Sequence, residues 1–170
     1  MKSSITLIGM PGAGKSVIGK LLAAHLGLAF VDTDLLIEKD YGAPLQTILD
    51  TKGHIALRQI EEQQILSISS TGEVISTGGS AVYSEKAMTH LRDFSTVIFL
   101  DIDLETVRKR IQNFDQRGIA RAPEQSIEMI FQERFALYKR YCDMQVSSGG
   151  DSPAKIVNNI VQTIGSRVKN

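Results

Sequence analysis

Eight consecutive residues constrain this chain more than any others. Gly9-Met10-Pro11-Gly12-Ala13-Gly14-Lys15-Ser16 fits the pattern G-x-x-x-x-G-K-[S/T] at every position. Glycines let the backbone curl so that successive N–H groups face a phosphate. A helix starting at Lys15 adds its positive N-terminus. The lysine reaches the β- and γ-phosphates, and the serine hydroxyl ligates Mg²⁺. The flanks agree with the motif. Ser4 to Ile8 reads as a strand, and Lys15 to Leu26 as a helix with Ile18, Leu21, Leu22 and Leu26 on one stripe. Gly12, Ala13, Gly14, Lys15, Ser16 and Val17 are the candidate nucleotide-binding residues of this loop.

The rest of the chain alternates short apolar runs with amphipathic ones. Strands are expected at 29–31, 73–76, 96–100 and 144–146. Helices are expected at 34–41, 44–52, 55–69, 84–91, 103–113, 127–141 and 153–168. Such alternation means right-handed βαβ units: a three-layer α/β/α fold on a five-stranded parallel sheet. Ligands then bind at the carboxyl ends of the strands, in the loops after Ile8, Val31, Ser76 and Leu100. At 170 residues, the chain is sized for one domain. Its 19 basic and 19 acidic residues cancel, so any anion site must be local. With no basic patch or aromatic platform, nucleic-acid binding is not expected. No apolar run approaches the ~20 residues of a membrane span. A single cysteine, Cys142, permits neither an internal disulfide nor a thiolate zinc site. A cytoplasmic protein is the expectation.

Asp32 and Asp34 stand at the end of the second strand. Alternation along a strand would turn both to one side. One of the two would hold a metal-bound water, and the other would bind and deprotonate an acceptor hydroxyl. Capping of the next helix is the competing assignment. Thr96-Val97-Ile98-Phe99-Leu100-Asp101 resembles a Walker-B strand, but Asp101 reads better as a cap for the helix near Asp103.

With these pieces in place, the chain resembles the shikimate kinase family, small P-loop kinases of the nucleoside-monophosphate-kinase type. Beyond the phosphate loop and Asp32-Thr33-Asp34, the likeness rests on Leu57-Arg58-Gln59-Ile60-Glu61, Gly78-Gly79, a basic lid around Arg117, and Glu133-Arg134-Phe135-Ala136-Leu137-Tyr138. The resemblance implies an ATP- and Mg²⁺-dependent monomeric kinase. It would phosphorylate shikimate to shikimate 3-phosphate in aromatic amino acid biosynthesis. The whole of 1–170 would be one domain, with a mobile lid at about 112–124 and an acceptor-binding region at about 33–61. Asp34, Arg58, Gly78, Gly79 and Arg134 would bind the acceptor, the two arginines gripping its carboxylate. Lys15, Asp34 and Arg117 would be catalytic. Ser16 and Asp32 would serve the metal, and Arg110, Arg117 and Pro153 the nucleotide.

From the residues alone, Arg58 could equally pair with Glu61 or Glu62 on a helix surface, and Arg134 could lie on a solvated face. Arg110 could be a surface charge, Pro153 a first-turn proline, and Arg121 a rival for the lid cation. The sequence also departs from the family pattern. Ser80 replaces a third glycine, Leu57 an aromatic residue, Val17 a threonine and Ala136 a proline. Gly118 replaces a lid proline, which should loosen the lid. These changes gather on the acceptor side, so gluconate or another hydroxy acid, or a ligand-binding relative without catalysis, are the alternatives.

Overall fold

The computed structural model describes residues 2–69, 71–111 and 118–167. Five parallel strands form one sheet: β1 (Ser4–Ile8), β2 (Ala29–Asp32), β3 (Glu73–Ser76), β4 (Ser95–Asp101) and β5 (Met144–Ser147), in the order β2-β3-β1-β4-β5. β1 is the centre and is buried at every residue, because both faces of the sheet are covered. Its two polar residues are satisfied locally. Thr6 Oγ1 and Ser95 Oγ share a hydrogen bond of 2.7 Å, and Ser4 Oγ accepts from Gly72 N at 2.9 Å.

The helices are α1 (Lys15–Leu26), α2 (Thr33–Tyr41), α3 (Leu45–Leu66), α4 (Glu85–Phe94), α5 (Leu104–Arg110), α6 (Ile127–Tyr141) and α7 (Pro153–Arg167). The chain crosses from β1 to β2 in one direction and from β3 to β4 in the other. Right-handed crossovers therefore put α1 and α4 on opposite faces, which gives the three layers expected. α1 packs with α7 on its side, and α4 packs with α3.

Local chemistry explains most boundaries. Ser84 Oγ caps α4 through Ala87 N, and Asp103 caps α5 through Thr106 N at 2.6 Å. Asp101 is not that cap: its Oδ2 accepts from Gln145 Nε2 and ties β4 to β5. α3 runs through the two segments expected as separate helices, but Gly53 breaks it with φ 83° and ψ 166°, so the separation survives as a kink. α5 ends at Arg110, short of the expected 113. Among the described residues no helix is long and apolar enough to cross a membrane.

Two apolar clusters result. The large one holds the sheet between its helix layers. The small one joins Ile37, Ile48, Leu57, Ile60 and Ala120 beside the carboxyl end of the sheet. It carries α2 and α3, and with them the residues expected to bind an acceptor.

Candidate active site

The loop after β1 is built around its glycines. Gly9 has φ 149°, and a Cβ there would meet the Leu100 carbonyl oxygen at 2.6 Å. Gly14 caps α1 in the left-handed region and offers no side-chain cap. The first-turn amides of α1, including those of Lys15 and Ser16, are thus left for an anion. Ala13 differs from expectation. Its N–H donates to Met10 O at 3.0 Å and its carbonyl accepts from Ser148 Oγ at 3.1 Å, so it braces the loop. Lys15 is buried and donates to Gly9 O (2.9 Å) and Met10 O (3.0 Å). Burial lowers its pKa to about 8, against the pull of Asp34.

The two aspartates take different positions. Asp32 ends β2, whereas Asp34 already lies in the first turn of α2. They approach the site by a strand-to-helix turn rather than by strand alternation. Asp32 is the cap of α2 and also meets the phosphate loop. Its Oδ1 caps α2 through Asp34 N and Leu35 N, and its Oδ2 accepts from Ser16 Oγ at 2.6 Å. A hydroxyl bonded to a carboxylate beside open helix amides is a donor set of the hard oxygen kind that Mg²⁺ takes, so the residues fit that ion. Asp34 turns into a cavity of about 340 Å³ lined also by Gly12, Lys15, Ser16, Gly79 and Arg134. Its Oδ1 is buried without a hydrogen-bond partner. Burial first, then the charges of Glu61 and Asp32, raise its pKa to about 7.

Glu61 was not among the expected site residues, yet it lines this cavity at 5% exposure. The signal was present in the sequence. Glu61 falls on the same α3 stripe as Leu57, Ile60 and Ile65, all buried. Burial raises its pKa, while the Ser80 hydroxyl, donating to Oε2, opposes that. Ser80 therefore does not merely crowd the site; it holds an acid in place. Gly78 lies beneath the acids. A Cβ there would meet Glu61 Oε1 at 2.3 Å and Asp34 Oδ1 at 2.8 Å. A Cβ on Gly79 would meet Arg134 Nη1 and Pro11 Cδ, both at 2.9 Å.

Arg134 is 1% exposed, on an α6 stripe with Ile130 and Tyr138, so the solvated-face assignment is wrong. Arg58 reaches the same place from α3. Both donate through Nη2 to one acceptor, Ala120 O, at 2.9 Å from Arg134 and 3.2 Å from Arg58. The Nε of each is buried without a partner. Arg58 bonds to neither Glu61 nor Glu62; Ser84 Oγ donates to Glu62 Oε2 at 2.5 Å.

The remaining candidates are less central. Arg110 donates to Gly12 O (2.9 Å) and Ser148 O (3.4 Å), so it clamps the loop from its rim. Pro153 is exposed at the first position of α7. Val17 is exposed at the cavity edge. Arg121 turns back on the carbonyls of Ala122, Pro123 and Gln125, away from the cavity. Arg117 and the first part of the expected lid, 112–117, lie outside the described residues. Gly118 is held rather than loosened. It adopts φ 60° and donates its N–H to Gln46 Oε1 at 2.7 Å, neither of which a proline allows.

Comparison with known proteins gives a consistent result. The family model described as "Shikimate kinase" matches residues 11–165. A shikimate kinase of Persephonella marina is 38% identical over 162 residues, covering 95% of this chain and 98% of the relative. One from a Sulfurihydrogenibium species is 34% identical over 165 residues, covering 96% and 99%. A solved shikimate kinase from Acinetobacter baumannii, in complex with shikimate, superposes with a TM-score of 0.90 at 27% identity, covering 97% of this chain and 94% of that one.

Proposed function

This chain belongs to the shikimate kinase family, and from that premise we propose that it transfers the γ-phosphoryl group of ATP to a hydroxyl of shikimate, giving shikimate 3-phosphate. One observation carries the choice of acceptor. Two guanidiniums converge on Ala120 O with both Nε groups buried and unpartnered, and one of them, Arg134, lines the same cavity as an unpartnered Asp34 oxygen. Arginine forks match a carboxylate, and a buried carboxylate oxygen calls for a hydroxyl donor. An acceptor carrying one carboxylate and several hydroxyls satisfies both.

The chain's own residues then divide the work. The first-turn amides of α1 and Lys15 bind the phosphates, for which Lys15 gives up its loop carbonyls. Ser16, bonded to Asp32, would hold Mg²⁺. When bound, that ion would supply positive charge to neutralise the phosphates. Arg58 and Arg134 take the acceptor carboxylate, and the backbone at Gly78 and Gly79 lets the acceptor lie close to Asp34. Asp34 orients the hydroxyl and accepts its proton as the bond to phosphorus forms. Glu61, held by Ser80, lies beside Asp34 and helps to raise its pKa, which favours proton uptake there. Lys15 and Arg117 neutralise the charge that develops on the transferring oxygens. In this reading 1–170 is one domain that acts as a cytoplasmic monomer, with the lid at about 112–124 and the acceptor region at about 33–61.

The test is ADP release from ATP and Mg²⁺ with and without shikimate. Strong shikimate dependence is expected, abolished by Lys15→Ala. Arg58→Ala should raise the shikimate KM at least tenfold and leave nucleotide binding unchanged. Release stimulated by gluconate but not by shikimate would overturn the acceptor assignment.

A further inference from the structure

Two like-charged guanidiniums side by side need something to hold them. Among the described residues no carboxylate forms a salt bridge with Arg58 or Arg134. What lies against both is one aromatic ring. The Arg58 guanidinium carbon sits 3.7 Å from the centroid of the Tyr83 ring, and that of Arg134 sits 5.4 Å away. We infer that Tyr83 is a positioning residue for the acceptor: its ring is the platform that holds Arg58 and Arg134 so that both present their edges to one carboxylate. The inference rests on the acceptor reading above.

The geometry suits that role. The negative face of an aromatic ring attracts a cation over it. A guanidinium stacked by its face keeps its N–H groups in the plane, free for in-plane bidentate bonding. The unpartnered Nε groups of both arginines are the edges so preserved. A carboxylate partner inside the protein would instead have consumed them.

The ring itself is firmly placed. Tyr83 ends a 3-10 turn, Ala81–Tyr83, whose first two residues are buried. Its N–H donates to Ser80 O at 3.1 Å, and Ser84, the next residue, caps α4. The turn follows directly on the glycine pair after β3, so the platform and the floor of the acceptor site are one continuous segment. The phenolic oxygen is buried and makes no hydrogen bond of ordinary geometry, although the Arg134 guanidinium and the Glu133 carboxylate lie near it. Leu57, where an aromatic residue would have been expected to contribute, lies wholly within the small apolar cluster. Tyr83 stands outside the cavity lining and touches the two arginines instead.

Steady-state kinetics on Tyr83→Leu and Tyr83→Phe test this. Tyr83→Leu should raise the shikimate KM about five- to tenfold, a size set by cation–π energies. The ATP KM should stay within about twofold, and kcat should change little, because the carboxylate is held alike in ground and transition states. Tyr83→Phe should match the wild type. Tyr83→Leu combined with Arg58→Ala should lose less than the product of the two single effects. A shikimate KM unchanged in Tyr83→Leu, or Tyr83→Phe as impaired as Tyr83→Leu, would overturn the platform while leaving the acceptor assignment standing. A wild type that does not use shikimate would overturn both. If Tyr83→Leu is unfolded at the assay temperature, Tyr83→Met provides the same comparison.

Discussion

Asp34 shows how a single side chain can be poor for stability and right for chemistry. Its carboxyl is buried beside Glu61, and burial first, then that neighbour's charge, lifts its pKa to about 7 from an ordinary 3.8. The folded state therefore binds this proton more tightly than the unfolded chain. The stability so gained is complete below about pH 4 and is lost as pH rises through about 7. At pH 8 the ionised group is a load on the fold. Asp34→Asn should raise the melting temperature at pH 8 by about 2–4 °C, with the gap closing toward pH 4, as scanning calorimetry would record. The same change should lower kcat at least about a hundredfold, because the proton acceptor is gone. In the native enzyme kcat/KM for the acceptor should fall as pH drops through about 7, since Asp34 must be ionised to accept the proton. A profile flat down to pH 5 would contradict its role as base.

The segment from the end of β3 into the 3-10 turn is the element that organises the acceptor side. Gly78 exists as glycine because two carboxylates occupy the space of its side chain. Gly78→Ala would place a Cβ into Glu61 and Asp34 and force both acids aside. The expected result is at least a tenfold loss of kcat/KM for the acceptor, with an unchanged ATP KM and a folded protein by circular dichroism. Ser80 and Tyr83 flank the glycines in function as well as in sequence, one holding Glu61 and the other facing the two arginines. α3 serves this segment from across the site. Its kink at Gly53 separates a first half that meets Gly118 through Gln46 from a second half that delivers Arg58 and Glu61.

At the scale of the whole molecule, the chain is a large core that holds the phosphate loop, Arg134 and the segment after β3, and a small cluster that carries Asp34, Arg58 and Glu61 on α2 and α3. The small cluster has only five buried members, so it should open more readily than the sheet. Leu57→Ala, which empties its centre, should cost about 2–4 kcal/mol by denaturant unfolding. Amide exchange should quicken in α2 and α3 before it does in β1. The order of strands and helices, the phosphate loop and the Asp32 cap of α2 were legible in the sequence. They rest on spacings within a few residues: a period of two or 3.6, a glycine where φ is positive, a serine or aspartate before a helix. Asp34 was legible beside the phosphate loop, whereas Arg58 and Arg134 were legible as candidates only through family resemblance, since locally each had an ordinary surface assignment. Tertiary packing alone decided which polar groups were buried together. It brought Arg58 to Ala120, 62 residues away, closed Ser80 onto Glu61, and set the Tyr83 ring against two arginines. Those contacts join elements whose separation in the chain carries no periodic signal. Their strength comes from the low dielectric and close packing that exist only once the sheet and both helix layers have assembled.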